Sequence, residues 1–291
     1  MPTNKTSYWK RVGYVEIEGE DGMMHKYGGS HDGLDFRFDI KYVADISVEF
    51  SVGILGLGRD TIQKLTVWNI AQAISASRKI AVYAGYEKDG VARQVASGII
   101  TNAIPTSPPE MWLNFSCLVG KCAFEPTNGK CITDAKLSEI LEYLAKANGL
   151  SARWDAKRVK PETKVPKFYV GRAPTWIVSN FASTYSLCVY IDGNELVATD
   201  IDAWNTNRIV ESSDLISPET GLISVGKIDL KGATIKRRLD TRSRLMSWVR
   251  LESKIIPSAN NSYFVVAKRH VGQYRGEDWF TELETIRRVS R

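Results

Sequence analysis

Histidine, cysteine and acidic side chains are the residues of this chain that could bind a metal or catalyse a reaction, and histidine is the scarcest of them. The 291-residue sequence contains His25, His31 and His270. His25 and His31 lie with Asp32 in a glycine-rich stretch that has no regular spacing to bring their side chains together. A metal site needs ligands converging on one point, so this stretch does not predict one. His270 has no Gly-x-Ser-x-Gly nucleophile motif to serve.

The four cysteines and 33 acidic residues give no stronger signal. Cys117, Cys122 and Cys131 lack the close Cys-x-x-Cys pairs of zinc sites. Together with Cys188 they are too few for a disulfide framework, so we expect reduced cysteines. No two carboxylates stand out as a pair for glycoside cleavage. These residues single out no catalytic, metal or cofactor site.

Three glycines, Gly53, Gly56 and Gly58, invite comparison with nucleotide-binding loops. Their order is G-x-x-G-x-G, the reverse of the dinucleotide motif, and no Lys-Ser or Lys-Thr follows to hold a phosphate. We interpret this segment as a glycine-rich turn between a strand and a helix.

Positive charge is concentrated in two segments. The formal net charge is +6; residues 231–254 contain eight basic and two acidic side chains, and residues 151–172 contain seven and two. Such segments favour nucleic acid or an acidic protein surface, although a solvated face beside acidic neighbours is the simpler interpretation. Trp248 could stack on bases there, but its apolar neighbours favour a packed strand. The candidate residues for contact with a polyanion are Lys236, Arg237, Arg238, Arg242 and Arg244.

The elements that must position these residues are strands in the first and last parts of the chain. Apolar and polar residues alternate over much of residues 36–119, and the alternation in residues 111–119 places Cys117 on the apolar face of a half-buried strand. Residues 78–86 predict another strand, with a bulge or a close backbone approach at Gly85. A short helix is expected from Thr61, and the period of two returns from about residue 221.

The middle of the chain has a helical period instead. Five apolar residues follow the spacing of one helix face, with Asp134 as the predicted N-cap and Gly149 as the left-handed stop. They are Leu137, Ile140, Leu141, Leu144 and Ala145. A second helix is predicted from Pro174 to about Tyr185, followed by a hairpin that turns at Asp192-Gly193. The proline-rich segment between the helices, residues 153–174, predicts an exposed connection.

Composition and hydropathy argue against a disordered or fibrous chain and against a chain that spans a membrane. The chain is 43% hydrophobic and 25% charged, which is typical of a folded globular protein with two or three domains. No stretch approaches the roughly 20 apolar residues that cross a bilayer. The first residues lack an apolar signal core, so we expect synthesis in a cytoplasm and no membrane span.

Most of the chain resembles the hub proteins of tailed-phage baseplates. The segments SVEFSVGILGLGRDTIQKL, KIAVYAGYEKDGVARQVASGII and WLNFSCLVG are similar, in this order, to the first domain of that family. The C-terminal SYFVVAKRHVGQYRGEDWFTELETIR is similar to the family's ending, in which a strand leads into His-x-Gly, a glycine turn and Trp-x-Thr-x-Leu. The matching positions, for which the resemblance implies a structural role, are His270, Gly272, Gly276, Trp279, Thr281 and Leu283.

This resemblance implies an α+β, β-dominated fold with two tail-tube-like antiparallel β-barrel domains. These domains would be residues 1–119 and 216–291, flanking a small α/β insert of residues 120–215. The protein would have no enzyme activity and no cofactor. It would form a homotrimeric, pseudo-hexameric ring that joins the tail tube to the central spike, contacts other baseplate proteins and lines the channel through which DNA passes. Its location would be the virion tail.

Two other functions stay open on the sequence. One is a nucleic-acid-binding module that uses residues 231–254, and the other is a cell-wall hydrolase carried on a phage tail. The first predicts DNA binding that weakens steeply with salt, whereas the second predicts a cleared zone in a zymogram of cell-wall material.

Overall fold

The computed structural model describes residues 10–67, 78–119, 131–169, 174–206, 214–229 and 231–287. These residues form one 13-stranded sheet, a two-stranded sheet, a three-stranded sheet and several helices. No helix within these ranges is long and apolar enough to cross a membrane.

Seven strands and one α-helix come from the described residues of the first part of the chain. In β3 the apolar residues Phe36, Phe38 and Ile40 are buried while Arg37 and Lys41 are exposed, which confirms the predicted alternation. The helix is α1, Arg59–Leu65. The strands are β1 Arg11–Glu18, β2 Met24–Tyr27, β3 Phe36–Val43, β4 Glu49–Leu55, β5 Lys79–Tyr86, β6 Arg93–Pro105 and β7 Trp112–Val119.

The bulge predicted at Gly85 is wrong. Gly85 pairs in regular register with Val12 of β1, and a Cβ built on it would meet no atom closer than 3.6 Å. The irregularity of β5 lies instead at Val82 and Tyr83, where its register with β6 shifts. The extra residue is therefore absorbed on the β6 side, away from the glycine.

The middle part combines two small sheets with helices. The two-stranded sheet pairs β8 with β10, and the three-stranded sheet has the order β11-β12-β9. The helices are α2 Leu137–Ala147, α3 Pro174–Tyr185 and α4 Ala203–Thr206. The strands are β8 Cys131–Lys136, β9 Ser151–Trp154, β10 Lys164–Tyr169, β11 Leu187–Asp192 and β12 Glu195–Asp200.

Helix and hairpin predictions in this part are largely confirmed. Helix α2 buries the five predicted apolar residues, and Gly149 after it has a φ of +71°. Its N-cap is Lys136, however, because Asp134 lies within β8 at a φ of +53°. Strands β11 and β12 form the predicted hairpin, with Asp192 paired to Glu195.

The predicted exposed connection between the two helices is wrong. It contains β10 and the second half of β9, and Val165 and Phe168 of β10 are buried in the core. Pro166 did not prevent pairing, because among the described strands β10 has a single neighbour, β8, in its two-stranded sheet. A proline is tolerated in such an edge strand, since its missing N–H can lie on the side that has no neighbouring strand.

The described residues of the last part of the chain add six strands to the large sheet. They are β13 Asp214–Ile216, β14 Leu222–Gly226, β15 Gly232–Arg238, β16 Trp248–Leu251, β17 Asn261–Gln273 and β18 Trp279–Arg287. The main path of the sheet runs β14-β15-β18-β17-β3-β4-β7-β6-β5-β1-β2. One edge of β17 pairs first with β16, through Asn261–Phe264, and then with β3, through Ala267–Gln273. The other edge pairs with β18, with a register shift between Val265 and Ala267. Strand β17 therefore joins the N-terminal strands to the C-terminal strands.

The α+β, β-dominated fold with antiparallel pairing is confirmed. Across the residues that the structure describes, the large sheet stays open, with β14 at one end of its main path and β2 at the other. The two-barrel arrangement and the three domain boundaries remain predictions.

Candidate functional site

The six motif positions of the C-terminal sequence lie on β17, on β18 and in the turn between them. His270 pairs across the hairpin with Thr281, and Gly272 pairs with Trp279. On its other edge, β17 places His270 opposite Ile40 and Gly272 opposite Phe38 of β3. The motif thus lies where strands more than 200 residues apart in sequence meet in one sheet.

Trp279 is the centre of an aromatic cluster at this junction. Its ring packs edge-to-face on Phe36 and Phe38, with centroids 6.1 and 5.6 Å away, and the Arg11 guanidinium lies 5.4 Å from its centroid. Gly272 has to be a glycine here, because a Cβ would lie 2.4 Å from a ring carbon of Phe38. The tryptophan and the glycine therefore fix how β18, β17 and β3 pack.

His270 belongs to the same packing and not to a catalytic arrangement. Its Nδ1 lies 2.8 Å from Oγ1 of Thr281, and that oxygen accepts a hydrogen bond of 2.9 Å from the backbone N–H of Asp240. Complete burial, with the charge of Lys268 adding to it, holds the pKa of His270 well below its ordinary value. The imidazole is therefore neutral near pH 7, and it connects the hairpin to the segment that follows β15.

A buried ion pair fixes the middle part of the chain to β17. Lys268 Nζ lies 2.5 Å from Oδ1 of Asp192, and the exposed fractions of the two side chains are 4% and 3%. Lys268 also donates to the carbonyl of Ser243 at 2.9 Å. Asp192 accepts from the backbone N–H of Leu245 at 3.2 Å and lies 3.4 Å from an Arg153 nitrogen. The hairpin β11–β12 is thus held against the large sheet by charge.

Sequence reasoning missed this ion pair, although one signal was available. In β17 the residues Lys268, His270 and Gly272 alternate with Arg269 and Val271, so Lys268 lies on the inward side. A lysine at an inward strand position requires a buried partner. The identity of the partner is set by the tertiary fold, because Asp192 is 76 residues away in sequence.

Arg237 was predicted to face a polyanion, but the structure buries it. Its exposed fraction is 2%, and it forms ion pairs with Asp214 and, at 3.0 Å, with Asp240. It also donates to the hydroxyl of Ser243 at 3.1 Å. Burial opposes ionisation of Asp240, but the hydrogen bond from Arg242 and the charge of Arg237 hold its pKa below the ordinary value. Arg237 therefore neutralises internal acids and does not reach a ligand.

The other predicted basic residues remain at or near the surface. Arg242 and Arg244 are exposed, and Arg242 forms an ion pair with Asp240. Lys236 is half-buried, with its ammonium 3.5 Å from the ring centroid of Phe280, and Arg238 is also half-buried. The structure thus spreads these residues over different environments and does not collect them on one face.

Trp248 has the packed role that its neighbours favoured. Its ring is buried and packs edge-to-face on Phe264, with centroids 5.4 Å apart. A buried indole cannot stack on a base. This observation counts against a nucleic-acid site built on Trp248.

No metal centre can be assigned among the described residues, where no three His, Cys, Asp or Glu side chains lie close enough to share an ion. His25 Nε2 lies 3.0 Å from Asp21, while Asp32 accepts from the backbone of Gly28 and Leu34 and so shapes the turn. Cys117 is buried, which raises the pKa of its thiol. Cys122 lies outside the described residues.

Comparison with known proteins finds similarity to phage tail and baseplate proteins. The model of the family described as baseplate hub gp41 matches residues 23–285. No curated protein gives a significant match. Among solved structures, a tail protein from Neisseria meningitidis MC58 superposes with a TM-score of 0.59 at 12% identity, covering 95% of this chain and 97% of that one.

Two further structures share the fold. The 43 kDa tail protein of prophage MuSo2 from Shewanella oneidensis has a TM-score of 0.56 at 9% identity and covers 94% of this chain and 98% of its own. The E. coli c3393 protein is described as a type VI secretion component that is structurally similar to phage T4 tail proteins gp27 and gp5. It has a TM-score of 0.55 at 10% identity, covering 95% of this chain and 77% of its own. Identities this low show a common fold and nothing more.

Proposed function

Because the chain belongs to the baseplate hub gp41 family, a family of structural and non-enzymatic phage tail proteins, we propose that three copies form the ring between the tail tube and the central spike. The observation that carries this proposal is the sheet itself. It contains an N-terminal and a C-terminal set of strands, joined edge to edge by β17 and β3.

Two sets of strands in one chain would allow a three-fold ring to match a six-fold tube. A six-fold tube and a three-fold spike can share a ring only if that ring has both symmetries, at least approximately. Three chains with two tube-like lobes each would present six similar units. In this proposal the lobes are the two predicted barrel domains, which close only in the assembled ring, and the middle part of each chain projects as the insert between them.

The two ends of the main strand path supply a way to assemble. Among the described residues, strands β2 and β14 each pair with one neighbour only, so the other edge of each has backbone groups without a ladder partner there. Met24 of β2 and Ile223 of β14 are exposed there, with 49% of Ile223 accessible. Exposed edges of this kind recruit further strands. If β14 of one copy pairs with β2 of the next, the contact is head-to-tail and a three-fold rotation closes it into a ring.

The channel through such a ring would pass DNA without reading its sequence. We assign this contact to Arg242 and Arg244, the exposed members of the predicted basic set. Lys236 and Arg238 are half-buried, so in this proposal they contribute less to the contact with DNA. Non-specific contact needs only positive charge near the phosphates.

The oligomeric mass tests this proposal. Light scattering should give three times the chain mass of 32.6 kDa, about 98 kDa, at high protein concentration. Ile223→Asp should abolish the trimer, because a carboxylate at the sheet edge opposes strand addition. Ile255→Asp is the matched control: Ile255 is 90% exposed, but it lies outside the strands, in the segment between β16 and β17. A wild-type monomer, or a trimer that survives Ile223→Asp, would refute the edge-to-edge ring.

A further inference from the structure

The sheet β8–β10 and the loop that leads into it present five exposed lysines, four of which have no acidic oxygen within 4.0 Å among the described residues. We propose that this surface binds an acidic segment of another protein. It is called the basic ribbon here and consists of Lys136, Lys157, Lys160, Lys164 and Lys167. The inference does not depend on the trimeric ring.

The lysines of the basic ribbon are all exposed. Lys136 reaches Glu139 of its own helix at 3.8 Å, a long contact between two half-exposed side chains. The other four have no acidic oxygen within 4.0 Å among the described residues. Elsewhere on the surface, lysines such as Lys41 are paired with acids at close range. The basic ribbon therefore contains four exposed lysines that lack a close acidic partner among the described residues.

Strand register makes part of this charge unfavourable for the fold. Lys164 of β10 pairs directly with Lys136 of β8. Like charges directly opposite each other destabilise a strand pair. The repulsion is relieved when a partner places carboxylates over the pair.

The backbone of this surface is held in place before any partner arrives. Asp200 accepts from the N–H of Lys157 at 2.8 Å and of Arg158 at 3.2 Å. The indole of Trp154 donates to the carbonyl of Val159 at 3.2 Å. The turn before β10 is tied to helix α2, since the N–H of Leu137 donates to the carbonyl of Thr163 at 3.0 Å. Little ordering of the backbone is therefore needed on binding, which favours affinity.

The pattern fits an acidic protein segment better than a nucleic acid. The neighbouring arginines, whose guanidinium groups could hold a phosphate with two parallel hydrogen bonds, already have carboxylate partners. Arg153, which is 14% exposed, pairs with Asp192, and Arg158, which is 62% exposed, pairs with Asp202. Exposed acids, including Glu139 and Glu162, lie among the lysines. A continuous phosphate backbone would meet these acids, whereas a protein segment can place its carboxylates only over the lysines.

The test uses the full chain and a fluorescent oligo-glutamate peptide, with binding followed by anisotropy at low salt. Lys164→Glu/Lys167→Glu should weaken binding at least about fivefold, while the control Lys64→Glu/Lys231→Glu, with the same change of charge at exposed positions elsewhere, should stay within about twofold. Lys164→Glu alone should leave the melting temperature unchanged or raised, because it replaces the repulsion with Lys136 by attraction.

Three results would overturn the proposal. The first is a wild-type chain that does not bind the peptide at low salt. The second is a pair of double variants with equal affinity. The third is a DNA duplex that binds more tightly than the peptide and loses affinity with Lys164→Glu/Lys167→Glu, because the surface would then serve nucleic acid.

Discussion

Replacing Lys268 with methionine should destabilise the protein strongly, because it leaves a buried carboxylate without its closest partner. Lys268 and Asp192 are both almost fully buried, with 2.5 Å between Nζ and Oδ1. Methionine keeps the length of the side chain and its apolar contacts, so the change removes mainly the charge and its hydrogen bond to Ser243.

The size of the effect follows from what remains around Asp192. Breaking one side of a buried ion pair costs about 3–5 kcal/mol. Arg153, 3.4 Å away, and the N–H of Leu245 still contact Asp192, so we expect the lower end, about 3 kcal/mol of unfolding free energy. For a chain of this length that corresponds to a melting temperature lower by about 5 °C.

Thermal and urea unfolding, followed by circular dichroism, would measure this change. The matched control is Lys41→Met on the adjacent strand, where the ion pair with Glu284 is 2.7 Å long but 49% exposed on both sides. Exposed pairs contribute less than about 1 kcal/mol. If Lys268→Met costs no more than Lys41→Met, the view that this ion pair fixes the middle part of the chain to the sheet is wrong.

Three further changes test the junction around β17. Gly272→Ala should cost about 1–3 kcal/mol of unfolding free energy because its Cβ has no room, whereas Gly85→Ala, whose nearest contacts are 3.6 Å away, should cost less than about 0.5 kcal/mol; equal costs would contradict the packing. Burial lowers the pKa of His270 in the folded state, so below about pH 6.5 the unfolded chain binds a proton that the folded chain excludes. Stability to urea should fall there by up to about 1.4 kcal/mol per pH unit, and His270→Asn should reduce that slope. Arg237→Met should cost about 3 kcal/mol in the same assay and the exposed Arg242→Met less than about 1 kcal/mol, and the reverse order would refute the buried role of Arg237.

Local patterns predicted the elements whose burial is one-sided. The alternation in β3 and β7 and the helical spacing of α2 are confirmed because each of these elements has a buried and an exposed face. Strand β10 was missed because one proline and two lysines make up half of its six residues, while only Val165 and Phe168 are buried apolar positions. A short strand with so few apolar positions carries little signal of its own.

The contacts of the candidate site depend on strand pairings between residues far apart in sequence, and no local sequence pattern contains this information. The similarity to phage hub proteins identified Trp279, Gly272 and His270 as structural residues, but not what they contact. Their packing partners are on β3, more than 200 residues earlier in the chain. Arg237 was predicted to face a polyanion because it lies in a basic run, yet its strand position turns it inward, onto Asp214 and Asp240. Charge density along a sequence does not report the face on which each charge lies.

A reconstruction of the intact tail by electron cryo-microscopy, with this chain located in the density, is the most direct test of the proposed ring. The account predicts three copies at the junction of tube and spike, with the two strand-rich lobes of each copy alternating around the axis as six similar units. Six copies at that level, or a location away from the junction, would contradict it.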